Sequence, residues 1–179
     1  MAIATAALSE SALKMEYPVA IAPTFRNIVM ATPPHWIIGV QIYRTIGALF
    51  LILYAGQYLP AVFALPAGVG DVLVGSTAPI VAYLFAARHP WARPAAVLWN
   101  IVGMADLVFA LTFGFLSSPT PFQWLARESP NVLIAAFPLV LIPTFAVPLS
   151  LLLHLFSLHG LRNPTRGERI NTGRRPAHV

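Results

Sequence analysis

The chain contains no cysteine and few charged residues, and both shortages limit what it can be. Without cysteine it cannot form disulfides, zinc–thiolate sites or cysteine-ligated iron–sulfur clusters. Charged residues make up 9% of the 179 residues, against about 25% in a typical soluble domain. Hydrophobic residues make up 58%. The composition therefore predicts an integral membrane protein.

Four stretches are long and apolar enough to cross a hydrocarbon core, which takes about 20 helical residues. They cover residues 36–58, 61–87, 94–116 and 131–158. The segment before them is interrupted by Pro18, Pro23 and Arg26, which favours an interfacial position. We predict an all-α membrane protein: an antiparallel four-helix transmembrane bundle over residues 36–158, an interfacial N-terminal segment over 1–35 and a basic tail over 159–179.

Basic residues predict the orientation of these helices. With the N-terminus inside, nine Lys and Arg side chains lie on the cytoplasmic side and only Arg127 lies outside. We therefore expect both termini in the cytoplasm. The five arginines of the tail fit a cytoplasmic location and attraction to anionic lipid headgroups. These arginines are Arg162, Arg166, Arg169, Arg174 and Arg175. Nothing in the chain indicates a nucleic-acid partner.

Three charged residues stand alone inside the apolar stretches: Arg44, Asp71 and Asp106. A charge at the bilayer centre costs at least about 2.5–3.5 kcal/mol, so such residues usually face a protein interior and mark a structural pair or a function. We expect Arg44 to pair with one aspartate, Asp71 being slightly favoured. The second carboxylate then needs a proton, a polar neighbour such as Asn100, or an external cation. These four residues form the predicted polar site, either a static clamp or a site for a proton, an ion or a small solute.

Small residues recur every three or four positions beside these polar groups. In the second stretch they include Gly68 and Gly75, and in the third Gly103 and Gly114. Such spacing places them on one helical face and lets helix backbones approach closely. We predict that these four glycines pack the helices together.

The fourth stretch contains Pro138, Pro143 and Pro148 at five-residue spacing. Each proline removes a helical hydrogen bond and clashes with the preceding turn unless the helix bends. We therefore expect this span to be bent or partly unwound, either as a curved structural element or as a hinge.

The histidines are further candidates for ligands, because imidazole binds haem iron and metal ions. His35 and His154 are weak candidates for haem or metal ligation and are expected near the cytoplasmic interface. No paired spacing such as H-x-x-x-H supports such a site. We predict no cofactor.

The tetrapeptide from Gly68 to Asp71 resembles the G-x-G-D motif of intramembrane aspartyl proteases, the presenilin-like and prepilin-peptidase families. The resemblance implies a second catalytic aspartate on a neighbouring helix, for which Asp106 is available. In those families the G-x-G-D aspartate comes second in the chain, whereas here it comes first. A membrane-embedded enzyme that uses Asp71 and Asp106 is thus an alternative function.

A wider set of residues is similar to a family of small multi-pass bacterial integral membrane proteins of unknown function. These residues are Tyr43-Arg44, residues 65–71, Trp99-Asn100, Gly103 and Asp106. The similarity implies a bacterial inner membrane and no particular chemistry. Our leading interpretation is a non-enzymatic protein that binds or conducts a proton or small solute, or is a subunit of a larger membrane complex. Besides the lipid bilayer, its expected partners are further copies of itself or other membrane subunits.

Overall fold

The computed structural model describes residues 32–162, and their regular structure is entirely helical. Four helices are long and apolar enough to cross a membrane, which confirms this part of the fold prediction. The predicted N-terminal segment, residues 1–35, and the basic tail, residues 159–179, lie largely outside the described residues. The helices are α1 (Pro34–Ala55), α2 (Ala61–Ala86), α3 (Ala92–Ser117) and α4 (Ile142–Arg162).

Neighbouring helices run in opposite directions. Along the α1–α2 contact, residue numbers rise on one helix as they fall on the other. The contacting pairs are Gly39 with Ala82, Thr45 with Gly75, and Leu51 with Gly68. The same relation holds between α2 and α3, between α3 and α4, and between α4 and α1. The four helices therefore follow an up-and-down order in which α4 returns to the side of α1.

The middle of α1 is not a regular α-helix. Residues Val40–Gly47 form a 3₁₀-helix, which has three residues per turn. Side chains three positions apart are therefore eclipsed and lie along one line. The buried residues of this part of α1 are Ile38, Gln41, Arg44, Gly47 and Phe50. A continuous α-helix would rotate this series away from the core, so the 3₁₀ turns hold Gln41 and Arg44 on the buried face.

The fourth helix is shorter at its start than the predicted span 131–158. Helical structure from Ile142 onward begins with a π-helix, Ile142–Ala146, followed by an α-helix, Val147–Arg162. Before it lies only a short 3₁₀ turn, Leu133–Ala135. The physical reason is the missing N–H groups of Pro138 and Pro143, which cannot continue a regular hydrogen-bond ladder. At the other end the helix reaches Arg162, beyond the predicted end.

The interior has an apolar cluster at each end and a polar layer between them. One cluster packs Ile38 against Trp99 and Leu161, and the other packs Phe50 against Phe63 and Ile134. The polar layer contains Arg44, Asn100 and His154, which are buried, and the partly buried Asp71 and Asp106. Many large apolar side chains point outward from all four helices.

Candidate functional site

Arg44 lies near the middle of α1, and its guanidinium group is fully engaged. Its side chain is 2% exposed. Nε donates to Asp71 Oδ1 at 2.8 Å, and Nη2 lies 2.7 Å from the same oxygen. Nη2 also donates to Asp106 Oδ2, while Nη1 donates to the Gly103 carbonyl at 3.3 Å and to His154 Nε2 at 3.2 Å. All three nitrogens of the Arg44 guanidinium therefore contact acceptors.

The contacts of His154 define which ring nitrogen carries hydrogen. Nε2 faces Arg44, which can only donate, so Nε2 accepts through its lone pair. Nδ1 lies 2.9 Å from Asn100 Oδ1. The Asn100 amide nitrogen donates to the Ala96 carbonyl at 2.7 Å and to Ser157 Oγ at 3.0 Å, which leaves its oxygen to accept. His154 is therefore neutral, with its hydrogen on Nδ1.

Gln41 is buried beside this ring but is incompletely hydrogen-bonded. Its Nε2 lies 3.3 Å from His154 Nδ1, although the Asn100 contact requires Nδ1 to be a donor. Its Oε1 has no hydrogen-bond partner among the described residues. Exchanging the amide oxygen and nitrogen, which differ little in shape, turns Oε1 toward Nδ1 but leaves Nε2 unpaired. In either orientation one polar atom of Gln41 is unsatisfied.

Tyr43 ties α1 to α4 next to Arg44. Its hydroxyl lies 2.5 Å from Ser150 Oγ and 3.4 Å from the Ala146 carbonyl. Ala146 is the last residue of the π-helix. The contact therefore holds the irregular part of α4 at the level of the Arg44 cluster.

Glycines make room for the charged side chains. A Cβ atom on Gly47 would overlap the Asp71 side chain, and one on Gly70 would overlap the Asp106 carboxylate. A Cβ on Gly103 would overlap the His154 ring. Gly75 lies against the α1 backbone, where a Cβ would come 2.5 Å from Thr45 N. The cluster can form because these positions lack side chains.

The four glycines predicted to pack the helices all lie at helix contacts. A Cβ atom on Gly68 would meet Leu51 at 2.7 Å, and one on Gly114 would meet the Phe63 ring at 3.3 Å. Gly75 and Gly103 are described above. The prediction missed Gly47 and Gly70, which border the two carboxylates. The sequence indicated them only by position, since Gly47 lies three residues after Arg44 and Gly70 directly precedes Asp71.

A cavity of about 350 Å³ adjoins Asp71. Asp71, Leu107 and Val147 line it near the polar layer, and Ser118 and Thr120 line it at the other end of α3. The distance along α3 from Leu107 to Ser118 is about 16 Å at 1.5 Å per residue. Asp71 is the only ionisable residue that lines this cavity within the described chain. The cavity thus joins the charged cluster to one end of the bundle through apolar walls.

The structure brings the predicted polar residues together. Arg44 contacts both Asp71 and Asp106, and Asn100 joins them through His154. We expected Arg44 to pair with one aspartate only. It reaches two because Nε donates to Asp71 on α2 while Nη2 donates to Asp106 on α3. His154, expected near the interface, is instead fully buried beside Arg44.

The charges of this cluster do not balance. With both aspartates ionised, Arg44 contributes one positive charge, the carboxylates two negative charges and neutral His154 none. Asp71 Oδ2 and Asp106 Oδ1 accept no hydrogen bond from the described residues. A net negative charge in an apolar interior is costly, which favours uptake of a proton or a cation.

The same geometry bears on the alternative functions. In an aspartyl protease two carboxylates share a proton, but here Arg44 Nη2 contacts both carboxylates. Haem ligation requires a free imidazole lone pair, and Arg44 occupies that of His154. His35 lies elsewhere, beside the Trp36 ring. Within residues 32–162 no group of three or more His, Asp or Glu side chains is placed to hold a metal ion.

Comparison with curated proteins and with solved structures gave no match. Residues 3–162 match a family described as a domain of unknown function, and the match includes all four helices and the Arg44 cluster. The sequence-based expectation of a family of unknown function is thus confirmed, while a bacterial origin stays a prediction. Because the match covers most of the chain, the protein belongs to the family described as Domain of unknown function (DUF8737).

Proposed function

We propose that the protein is a multi-pass membrane protein that binds a small solute at the Arg44 cluster. The observation that carries this proposal is the apolar cavity that ends at Asp71, one of two carboxylates that share a single guanidinium. Binding pockets are typically apolar with a few polar groups that orient the ligand. Here the cavity supplies the apolar walls, and the unbalanced carboxylate supplies the polar group that orients a ligand.

The outer surface of the bundle is apolar, which favours contact with the hydrocarbon of a lipid bilayer over contact with water. Trp36, Ile46, Leu98 and Phe137 are each more than 60% exposed, and many other large apolar residues are exposed. Soluble monomers rarely expose apolar patches of more than a few hundred Å². We place the four helices in the bacterial inner membrane with both termini in the cytoplasm, because of the asymmetry of basic residues.

Binding is better supported than proton conduction. A relay through the polar layer would pass between the aspartates and His154, and Arg44 lies between them. A guanidinium does not deprotonate in proteins, so it cannot pass a proton onward. Beyond His154 the layer meets the apolar cluster of Ile38, Trp99 and Leu161. The contacts therefore favour access to the aspartates from the cavity side only.

Native purification with analysis of bound small molecules tests the proposal. The full chain, Asp71→Asn and Glu128→Gln would be purified in parallel, and their extracts compared by mass spectrometry. Glu128 lies in the α3–α4 connection and does not line the cavity, so it is a matched control. We expect a compound enriched on the unchanged protein and on Glu128→Gln but lost from Asp71→Asn. Identical extracts from all three proteins would contradict solute binding at Asp71.

A larger assembly is a separate part of the proposal. The outer apolar surface of the four helices can face lipid or other helices. We therefore propose further copies of the chain or other membrane subunits as partners. Mass determination of the protein in lipid nanodiscs, with the lipid subtracted, distinguishes a monomer from an assembly.

A further inference from the structure

We infer that the ligand of this cavity is a small amphiphilic amine, bound as a monovalent cation with its nitrogen at Asp71 and its apolar body along α3. The inference rests on the proposed solute binding and names the class of solute. It follows from the charge of the cluster, the composition of the cavity walls and the position of the cavity.

The charge of the cluster selects a monovalent cation. All three nitrogens of the Arg44 guanidinium contact acceptors, and its charge cancels one of the two carboxylate charges. One negative charge remains, and Asp71 is the carboxylate of the pair that lines the cavity. An ammonium group supplies one positive charge and up to three N–H donors, which match this remainder. An anion would place a second negative charge beside the carboxylates.

The cavity walls select an apolar body. Besides Asp71, the lining includes the apolar side chains of Phe50, Phe63, Leu107 and Val147. A hydrated inorganic cation would find few oxygen ligands there, whereas Na⁺ or Mg²⁺ sites require several. A volume of about 350 Å³ lies at the low end of the range for organic ligands. The walls therefore fit a small aromatic or alkyl group.

The position of the cavity offers a route for such a molecule. Leu111 and Phe115 line the cavity and also belong to the exposed apolar surface of α3. In a bilayer this surface would face acyl chains. An amphiphilic amine dissolves in the bilayer with its nitrogen near the headgroups, so it can approach Asp71 from the lipid side.

Three probes of similar shape and different charge test the inference on the full chain in nanodiscs. They are 2-phenylethylamine, 2-phenylethanol and 3-phenylpropanoate, with binding measured by equilibrium dialysis. We expect the amine to bind about tenfold or more tightly than the alcohol, and the carboxylate not to bind, because the amine alone pairs with the excess carboxylate. Asp71→Asn should bring the amine down to the affinity of the alcohol, while Glu128→Gln should change neither.

A second variant keeps the test decisive if Asp71→Asn does not fold. Ala110 lines the cavity beyond the charged cluster, so Ala110→Leu fills the space and leaves all charges in place. We expect Ala110→Leu to lose amine binding with unchanged helix content. Retained binding would overturn the inference.

The outcomes separate the inference from the proposed function. Equal binding of amine and alcohol would overturn the cationic ligand but support a solute cavity. A co-purified compound that depends on Asp71 and is not an amine would do the same. Absence of probe binding together with absence of any Asp71-dependent compound would overturn both.

Discussion

Removing one member of the Arg44 cluster leaves the others buried without partners. Arg44→Met removes the donor shared by two carboxylates and the donors to the Gly103 carbonyl and His154. Breaking a buried ion pair by removing one partner typically costs about 3–5 kcal/mol. We expect Arg44→Met to lose stability of this order, measured as the free energy of unfolding in mixed micelles.

The triple variant with Arg44→Met, Asp71→Asn and Asp106→Asn is the matched comparison. It removes the charges together, so no carboxylate stays ionised in the interior. We expect it to recover much of the stability that Arg44→Met loses, since replacing a whole buried ion cluster by neutral groups is often tolerated. A triple variant as unstable as Arg44→Met would contradict the ion-pair account.

Substitutions of His154 and Gln41 are expected to change stability differently, although both residues are buried and polar. His154→Leu removes the acceptor of Arg44 Nη1 and the donor to Asn100, so it should destabilise by about 1–3 kcal/mol. Gln41→Met has a similar volume and removes an amide that already has an unsatisfied atom. We expect this change to be neutral or stabilising in the same unfolding assay. A larger loss for Gln41→Met than for His154→Leu would show that the hydrogen-bond assignment is wrong.

The sequence identified the charged residues of the site but could not identify all of their partners. Arg44, Asp71 and Asp106 are conspicuous because an isolated charge in an apolar stretch needs a partner. His154 has no such signal, since its burial depends on where α4 begins and how it packs against Gly103. Gln41 was also missed. It lies three residues before Arg44 and so on the same helical face, but an amide in an apolar stretch is less conspicuous than a charge.

Two helices depart from α-helical geometry close to the Arg44 cluster. The 3₁₀ turns Val40–Gly47 in α1 and the π turn Ile142–Ala146 in α4 both lie next to the Tyr43–Ser150 contact. The prolines of α4 predicted an irregular segment, because each proline removes a helical hydrogen bond at its own position in the chain. The 3₁₀ turns of α1 contain no proline. They begin directly after Gly39 and end at Gly47, but glycines at this spacing do not by themselves predict a 3₁₀-helix.

Close approach of α2 to α1 predicts a difference between two glycine substitutions. Gly75→Ala places a Cβ 2.5 Å from Thr45 N, and a helix backbone cannot easily move away. Gly39→Ala places a Cβ 3.5 Å from Ala82 Cβ, which is an ordinary contact. We expect Gly75→Ala to destabilise by about 1–3 kcal/mol despite the better helix propensity of alanine. Gly39→Ala should be neutral or stabilising, and mixed-micelle unfolding measures both.

Equal effects of the two substitutions would contradict the α1–α2 contact. A stabilising Gly75→Ala would mean that propensity decides and that the backbones do not approach closely. Circular dichroism of both variants checks that the helices still form, so that the comparison concerns their packing.

At the scale of the whole molecule, hydropathy predicted the number of long helices and most of their ends within a few residues. This succeeds because a membrane span needs a minimum apolar length, which is a local property. The hydropathy pattern is nearly uniform around α2, α3 and the α-helical part of α4, so it does not show which of their faces meet. The side-by-side position of α4 and α1 depends on contacts such as Tyr43–Ser150, between residues far apart in the chain.

The arrangement of four antiparallel helices makes a definite prediction for membrane topology. A reporter fused at Asn163, just after α4, should lie in the cytoplasm together with one inserted at residue 89, between α2 and α3. A reporter within residues 118–130, between α3 and α4, should lie outside. The reason is that nine Lys and Arg side chains fall on the first side and only Arg127 on the second, and cytoplasmic loops carry such an excess. Alkaline phosphatase and green fluorescent protein fusions, which are active on opposite sides of the inner membrane, measure both positions independently. Reporters at 118–130 and at Asn163 on the same side would refute four spans, whereas opposite sides in the reverse orientation would refute only the orientation.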